Sequence, residues 1–258
     1  MPEGPEVTFM CHELNEEFRG TILEDIQIKG GRYTRHGIPK ELVHFIDSIL
    51  PAKIIKFHHK GKFLYCEFDK PYYLGIVLAM TGHVMFQPST HTHYHFITNK
   101  GTFYIEDMRN FATIHLYHPK ELMDKIQKIG PDLLHEKVTD KLFIDRIRKY
   151  PNKPIATVLL DQKVISGIGN YLRADGLYKA KISPFRLVKD VKDEELKKLK
   201  KEIYNIMVWA TKSHIQHKYM RSYQFLVYGR KSTDRGEEVV ATKLEPGRSI
   251  YWVPTKQT

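Results

Sequence analysis

Leu159-Leu-Asp-Gln-Lys-Val-Ile-Ser-Gly-Ile-Gly-Asn-Tyr-Leu-Arg173 is the stretch on which the reading of this chain turns. One helical pattern runs into Ser166-Gly167-Ile168-Gly169-Asn170 and a second leaves it. Two glycines around one apolar residue make a tight hairpin. Without Cβ atoms in the way, its backbone N–H groups can approach a phosphate. Asn170 is placed to cap the second helix and to offer its side-chain amide to the same phosphate. A plain glycine-rich connection between packed helices is the alternative. Lys163 and Arg173 flank the hairpin, and the chain carries a net charge of +11, an excess that suits a polyanionic partner.

Working outward, residues 119–217 are helical in pattern, with helices predicted over 120–129, 135–150, 154–165, 171–180 and 193–217. Strand patterns follow at 224–228, 238–243 and 248–252. On the N-terminal side the spacing predicts a helix over 5–19, where Val7, Met10, Leu14 and Phe18 recur at steps of three and four and Gly20 ends the run. A strand at 21–29, a mobile basic loop at 30–37 and a short helix at 40–50 come next. Strands are predicted at 54–57, 62–68, 73–78 and 84–87. Residues 91–98 alternate cleanly, turn at Asn99-Lys100-Gly101 and return through 102–105 as a hairpin. Many short strands after one helix point to an antiparallel sandwich or barrel.

The 258 residues suffice for two domains with real cores, and 41% hydrophobic content is that of an ordinary globular protein. No apolar run approaches the roughly 20 residues of a membrane span. Glu3 and Glu6 near the N-terminus exclude a secretory signal, and no nuclear or mitochondrial targeting pattern stands out, so cytoplasm, nucleoid or nucleus is expected. The two cysteines, Cys11 and Cys66, sit in periodic apolar segments and read as buried thiols, with a disulfide between them left open. They are too few for a four-cysteine zinc site.

The chain opens Met1-Pro2-Glu3-Gly4-Pro5-Glu6. Removal of Met1 would leave a secondary amine flanked by carboxylates. An α-amino group titrates at about 8, well below lysine, and is a competent nucleophile toward an electrophilic carbon. The competing account is a helix start, since proline favours the first helical position and glutamate the first turn.

Taken together, these motifs resemble the formamidopyrimidine-DNA glycosylase / endonuclease VIII family of base-excision repair enzymes. Pro2-Glu3-Gly4-Pro5-Glu6 is similar to its N-terminal signature in the endonuclease VIII-like spelling. Asp161 to Asn170 resembles its helix–two-turn–helix, and Val227-Tyr228-Gly229-Arg230 the entry to its C-terminal finger. The resemblance covers nearly the whole chain. It implies an α+β fold: an N-terminal antiparallel β-sandwich flanked by helices (1–118), a helical interdomain connection (119–150), a helix–two-turn–helix domain (151–220) and a β-hairpin finger (221–258).

What the resemblance implies can be placed residue by residue. Pro2 resembles the nucleophile that attacks C1′ of the damaged nucleotide and forms a Schiff base, after which β- and δ-elimination cut the strand. Glu3 resembles the carboxylate that shuttles protons beside it, and Glu6 a second pocket carboxylate, with complementarity to the helix dipole as its alternative. Lys62 matches a strand-borne lysine that binds the phosphate beside the lesion. Asn170 matches the phosphate-clamping asparagine. Base flipping needs groups to fill the vacated stack. Met80 resembles the void-filling wedge, Arg109 the residue that faces the orphan base, and Phe111 the wedge beside it.

The departure is at the C-terminus. The family's usual four-cysteine finger would place its pairs between Thr233 and Gly236 and near Val253 and Lys256, where no cysteine stands. The hairpin-tip pattern Gly247-Arg248-Ser249-Ile250-Tyr251-Trp252 is kept, as in zinc-less endonuclease VIII-like relatives. Arg248 is then the phosphate contact near the lesion, and Ile250, Tyr251, Trp252 and Val253 replace the metal by packing. His58, His59, His91, His93 and His95 cluster in sequence but read as a histidine-rich β face; no metal and no cofactor are expected. The expected partner is double-stranded DNA carrying an oxidised base or an abasic site, met by a monomer. Two other readings stay open: a lyase that has lost base excision, and a non-enzymatic nucleic-acid-binding module. The set Pro2, Glu3, Lys62, Met80, Arg109 and Phe111 argues against the last, since binding alone does not need them together. The Gly4 spelling, the missing zinc ligands and the short segment between Ile215 and Tyr223 lean toward oxidised pyrimidines and ring-opened or hydantoin purines.

Overall fold

A computed structural model describes residues 2–218, 223–244 and 247–258. The chain divides into two compact units, one comprising Pro2 and Glu6–Lys128, the other Glu3–Pro5 and Ile129–Thr258.

In the first unit, helix α1 (Gly4–Phe18) precedes strands β1 (Ile22–Ile28), β2 (Ala52–Lys60), β3 (Phe63–Phe68), β4 (Tyr73–Val77), β5 (Gly82–Met85), β6 (Thr92–Thr98), β7 (Gly101–Asp107) and β8 (Thr113–Tyr117). The strands pair in the order β5-β7-β6-β1-β2-β3-β4-β8, with every pair antiparallel. Two four-stranded halves meet at a short β1–β2 ladder, Ile22 opposite Lys53 and Leu23 opposite Ala52. Alternation along the strands turns one face of each half inward, so the halves form an antiparallel β-sandwich. Phe57 of β2 meets Phe103 of β7 edge-on at 5.7 Å, and Phe103 stacks on Phe96 at 4.5 Å. The apolar stripe of α1 covers this core, with Phe18 5.1 Å from Phe103. Asn15 of α1 donates from Nδ2 to the Phe57 carbonyl and accepts from the Phe57 N–H, both at 2.9 Å.

Several expectations need correction here. The predicted mobile loop at 30–37 contains a short helix, α2 (Arg32–His36), bracketed by Gly31 and Gly37 at φ of 80° and 79°. Its anchor is Tyr33, buried edge-on against Tyr94 at 5.9 Å, with its hydroxyl donating to the Ile114 carbonyl. One aromatic anchor leaves no periodic signal. The predicted helix at 40–50 is α3 (Lys40–His44) followed by a wider π turn, Phe45–Ile49. Strand β8 was not anticipated; it completes the sheet by pairing with β4. Strand ends move by a few residues, most at β2, which runs well past the predicted 54–57. Cys11 and Cys66 are both buried free thiols, which closes the disulfide alternative.

The remaining helices are α4 (Pro119–Gln127), which ends the first unit, and, in the second, α5 (Asp140–Arg148), α6 (Ile155–Leu159), α7 (Asn170–Ala180) and α8 (Asp193–His217), followed by hairpin strands β9 (Val240–Leu244) and β10 (Arg248–Trp252). Helix α8 matches its expectation because Leu196, Leu199, Ile203, Met207, Ala210 and His214, buried at helical spacing, all face the core. It packs closely on α7: a Cβ on Gly176 would lie 2.4 Å from Ile203. The predicted helix at 135–150 begins only at 140, where the Thr139 hydroxyl accepts the Leu142 N–H at 3.2 Å as an N-cap. The one predicted at 154–165 stops at Leu159, and the chain then turns. The predicted strand at 224–228 is a turn. Asp175 holds it, its carboxylate accepting the N–H groups of Leu226, Val227 and Tyr228 at 2.9, 3.0 and 3.2 Å and the Tyr223 hydroxyl at 2.9 Å. A side chain thus takes the donors that a strand partner would have taken. Among the described residues, no helix is long and apolar enough to cross a membrane.

Candidate nucleic-acid interface and active site

In the second unit the hairpin is built around a carboxylate. Glu3 is 1% exposed. Its Oε1 accepts the Tyr171 N–H at 2.8 Å, and its Oε2 accepts those of Gly169 at 2.8 Å and Leu172 at 3.2 Å. These are N–H groups at the start of α7, which has no intrahelical acceptor for them, and a carboxylate also suits the positive end of the helix dipole. The Gly4 N–H donates to the Gly167 carbonyl at 2.8 Å. A Cβ on Gly4 would lie 2.9 Å from Met207 Cε and 3.2 Å from Gly167 Cα, which explains glycine at this position.

This revises the phosphate cradle. The N-cap of α7 is Gly169, and Asn170 is its first helical residue rather than the cap. The N–H groups of Gly169, Tyr171 and Leu172 are occupied by Glu3, and that of Gly167, at φ 88°, donates to Gln162 Oε1 at 3.0 Å. The Gln162 amide in turn donates to the carbonyls of Leu160 and Ile168 at 3.0 and 2.7 Å, so this one side chain knits the turn together. Among the groups the hairpin offers an anion is the Asn170 side chain. Its Nδ2 carries two hydrogens, and the contact to the Ser249 carbonyl at 3.2 Å uses one.

Arg173, read from sequence as a flanking surface cation, is 1% exposed. Its Nε donates to Asn170 Oδ1 at 3.0 Å, Nη1 to the Ala156 carbonyl at 3.0 Å and Nη2 to the Ser249 carbonyl at 3.2 Å. Burial lowers its pKa to about 10, with the charge of Arg248 adding to the effect and those of Glu3 and Tyr228 opposing it. Arg173 therefore ties α7 to β10 one residue from Arg248. Arg248 itself is exposed and follows Gly247, at φ 77°. Arg173 and Arg248 line an open cavity of about 350 Å³ with Tyr150, Lys153, Thr157 and Asp161.

The finger positions that would carry cysteines hold another network. The Thr233 hydroxyl donates to Glu237 Oε2 at 3.0 Å, Tyr178 donates to the same carboxylate at 2.6 Å, and Lys256 Nζ lies 3.3 Å from its Oε1. Ile250 and Val253 are buried in the helical core, Tyr251 meets Tyr228 at 5.2 Å, and Trp252 meets Phe185 at 5.0 Å. Centred on the Glu237 carboxylate, with a lysine amine beside it and no thiolate, this donor set does not fit zinc.

In the first unit, Pro2 is buried and Glu6 lies in the first turn of α1, 8% exposed. Lys62 is half-buried and sits in the turn between β2 and β3, after Gly61 at φ 55°, rather than on a strand. Met80 comes together with Arg109 and Phe111, which lie 29 and 31 residues further along the chain. Arg109 Nη1 lies 3.3 Å from Met80 Sδ, and its guanidinium sits 5.2 Å from the centre of the Phe111 ring. Arg109 and Phe111 are exposed, Phe111 by 47%. Each loop carries a non-glycine residue in left-handed conformation beside these side chains, Ala79 at φ 53° and Asn110 at φ 59°. Beneath them lies Asp107, wholly buried. Among the clustered histidines, His58 pairs with Glu67 at 2.8 Å, and His93 Nε2 donates to the Asp107 carbonyl at 2.8 Å.

Asp107, Gln162, Arg173 and Asp175 were not singled out as organisers. The signals available were an aspartate opening a polar turn and two charged residues, Arg173 and Asp175, among the apolar residues of one helix.

A family model described as the formamidopyrimidine-DNA glycosylase N-terminal domain matches residues 1–114, and its H2TH domain model matches 129–219. A formamidopyrimidine-DNA glycosylase of Halalkalibacterium halodurans is 31% identical over 81% of this chain and 78% of its own. The chain belongs to the formamidopyrimidine-DNA glycosylase family. The relative from Pelotomaculum thermopropionicum is 29% identical across 100% of this chain and 99% of its own. Among solved structures, Lactococcus lactis Fpg in complex with DNA containing an oxidized pyrimidine superposes with a TM-score of 0.86 at 25% identity, and MutM in complex with DNA containing carbocyclic 8-oxo-G with a TM-score of 0.85 at 25% identity; each match covers 100% of both chains.

Proposed function

We propose that this member of the family excises oxidised bases from double-stranded DNA with Pro2 as its nucleophile. The chain is a DNA glycosylase of base-excision repair, with the lyase activity of its family. The observation that carries the finer reading is the assembly of Met80, Arg109 and Phe111 from two separate loops. An exposed phenylalanine with an arginine on its face has little value in a soluble core, but it suits a vacated base stack.

In this reading, removal of Met1 exposes the Pro2 amine. Its lone pair bonds to C1′, the glycosidic bond breaks, and the base departs with a proton. The C1′–O4′ bond then opens as Glu3 protonates O4′, and the iminium so formed acidifies the 2′ hydrogens. Loss of one expels the 3′-phosphate, and a second elimination expels the 5′-phosphate. Glu3 transfers the protons: three backbone donors fix its carboxylate one peptide bond from the nucleophile. Glu6 serves as the second pocket carboxylate. Lys62, Asn170 and Arg248 bind phosphates, Met80 and Phe111 fill the stack, and Arg109 faces the orphan base. The division at 1–118, 119–150, 151–220 and 221–258 belongs to this proposal, as does action as a monomer.

The finger works without zinc, held by the Glu237 network and by the packing of Ile250, Tyr251, Trp252 and Val253. Oxidised pyrimidines and ring-opened or hydantoin purines are the proposed lesions. Part of the support for that preference, the short segment after Ile215, includes residues 219–222, outside the described residues.

The test is borohydride trapping on single-lesion and abasic duplexes with N-terminally processed protein. A covalent adduct is expected with wild type; on the lesion duplex none is expected with Pro2→Gly, which should lose base excision and still bind duplex. Absence of any wild-type adduct overturns the nucleophile assignment. Activity unchanged by a zinc chelator is expected, and inhibition would contradict the metal-free finger.

A further inference from the structure

The Asp107 carboxylate, wholly buried beneath the Met80, Arg109 and Phe111 assembly, accepts hydrogen bonds from both loops. Oδ2 takes the N–H groups of Phe111 at 2.5 Å and Ala112 at 2.6 Å. Oδ1 takes the N–H of Arg109 at 3.2 Å and, from the other loop, the hydroxyl of Thr81, the residue next to Met80. The backbone of Asp107 is held as well: its N–H donates to the His91 carbonyl at 3.0 Å, its carbonyl accepts from His93 and from the Asn110 N–H at 3.2 Å, and its partner across the β5–β7 ladder is Gly82. One anion thus fixes the backbone of Arg109, Phe111 and Ala112 and the side chain of Thr81, the neighbour of Met80.

We propose that Asp107 is a positioning residue that joins the two wedge loops into one rigid element, so that stack filling by Met80 and Phe111 and orphan-base docking by Arg109 occur as a single event. This rests on the reading that these three side chains enter the duplex. The physical basis is the left-handed backbone at Ala79 and Asn110, which surrounding structure must hold in place. Charge-assisted hydrogen bonds from both loops to one buried carboxylate supply that hold.

The experiment compares Thr81→Val, Asp107→Asn, Met80→Ala and the Thr81→Val/Met80→Ala double variant. Thr81→Val removes the cross-loop hydroxyl with little change of shape, so it is informative even if Asp107→Asn folds poorly. The readouts are excision of an oxidised base opposite each of the four bases, and cleavage of a preformed abasic site, where no base has to be everted. Thr81→Val is expected to slow excision about tenfold, the worth of one charge-assisted hydrogen bond expressed in that step. It should also flatten the orphan-base preference and leave abasic-site cleavage within about twofold of wild type. The double variant should be scarcely slower than Met80→Ala, because both changes remove one shared function. Simple destabilisation would not alter the orphan-base ratio at temperatures well below unfolding. Wild-type excision and orphan-base ratio in Thr81→Val, or additive losses in the double variant, overturn the coupling. Unimpaired excision by Met80→Ala overturns the wedge reading itself, and the coupling with it.

Discussion

Replacing Glu3 by glutamine should destabilise the C-terminal unit before any DNA is present. The carboxylate accepts three backbone N–H groups, from Gly169, Tyr171 and Leu172. An amide with its nitrogen at the Oε1 position faces the Tyr171 N–H donor to donor and leaves two weaker, neutral bonds at the other oxygen. The opposite rotamer loses two bonds instead of one. One orphaned buried N–H costs about 1–3 kcal/mol, and converting two charge-assisted bonds to neutral ones costs roughly 0.5–1 kcal/mol each. The sum is about 2–5 kcal/mol, a large share of the roughly 5–15 kcal/mol that stabilises a typical domain. Both tryptophans, Trp209 and Trp252, lie in this unit, so their fluorescence during urea unfolding reports it separately from the β-sandwich. The midpoint should fall by about 1–2 M with an unchanged slope. Glu3→Asp, one methylene too short to reach the same donors, should fall at least as far. If Glu3→Gln lost activity but unfolded at the wild-type midpoint, the capping argument would be refuted and Glu3 would be a purely chemical residue.

Arg173→Lys keeps the charge but cannot reach Asn170, Ala156 and Ser249 at once; DNA affinity should drop about tenfold while the salt dependence of binding stays unchanged, because no phosphate contact is lost. Arg248→Ala should weaken binding and also lower the salt slope by about one, and identical slopes in the two variants would refute the distinction. Burial pushes the Cys11 thiol up to about 12 and the Cys66 thiol well above its ordinary value, so a disulfide reagent should label neither in the native protein and both after denaturation; rapid native labelling would contradict their burial. Burial works to raise the Asp107 carboxyl, but hydrogen bonds from Thr81, Ala112, Arg109 and Phe111 outweigh it and hold the group below its ordinary 3.8. A depressed folded value means stability that is present above pH 3.8 and lost as pH falls through the folded value. Acid titration followed by near-ultraviolet circular dichroism should therefore show a shallower loss for Asp107→Asn than for wild type, and superimposable curves would sink this argument.

The elements legible in the sequence were those whose hydrogen bonds close within a short stretch. Helix α8 repeats its apolar residues at steps of three and four over 25 residues, and β6 and β7 alternate on either side of an Asn-Lys-Gly turn. Where a distant side chain satisfies the backbone, the local pattern misleads. Residues 224–228 have the apolar content of a strand, yet Asp175 takes their donors from about fifty positions away. Residues 30–37 read as a loop because their long-range anchor is a single side chain, Tyr33, buried against Tyr94 with its hydroxyl on the Ile114 carbonyl.

The candidate site divides along the same line. The residue types and their order (a proline behind the initiator, two glutamates, a lysine after glycine, an asparagine after a Gly-x-Gly turn) were enough by themselves to point to the family and to nominate chemical roles, because nucleophiles, acids and phosphate donors are properties of single side chains. Tertiary structure alone decided what holds those side chains. It brought Glu3 to a helix start 166 residues away, put Asp107 under a threonine 26 residues upstream, and buried Arg173 between a helix and a hairpin strand. A buried charge persists only where several partners converge on it, and that convergence is a fact about space, which spacing along the chain does not encode.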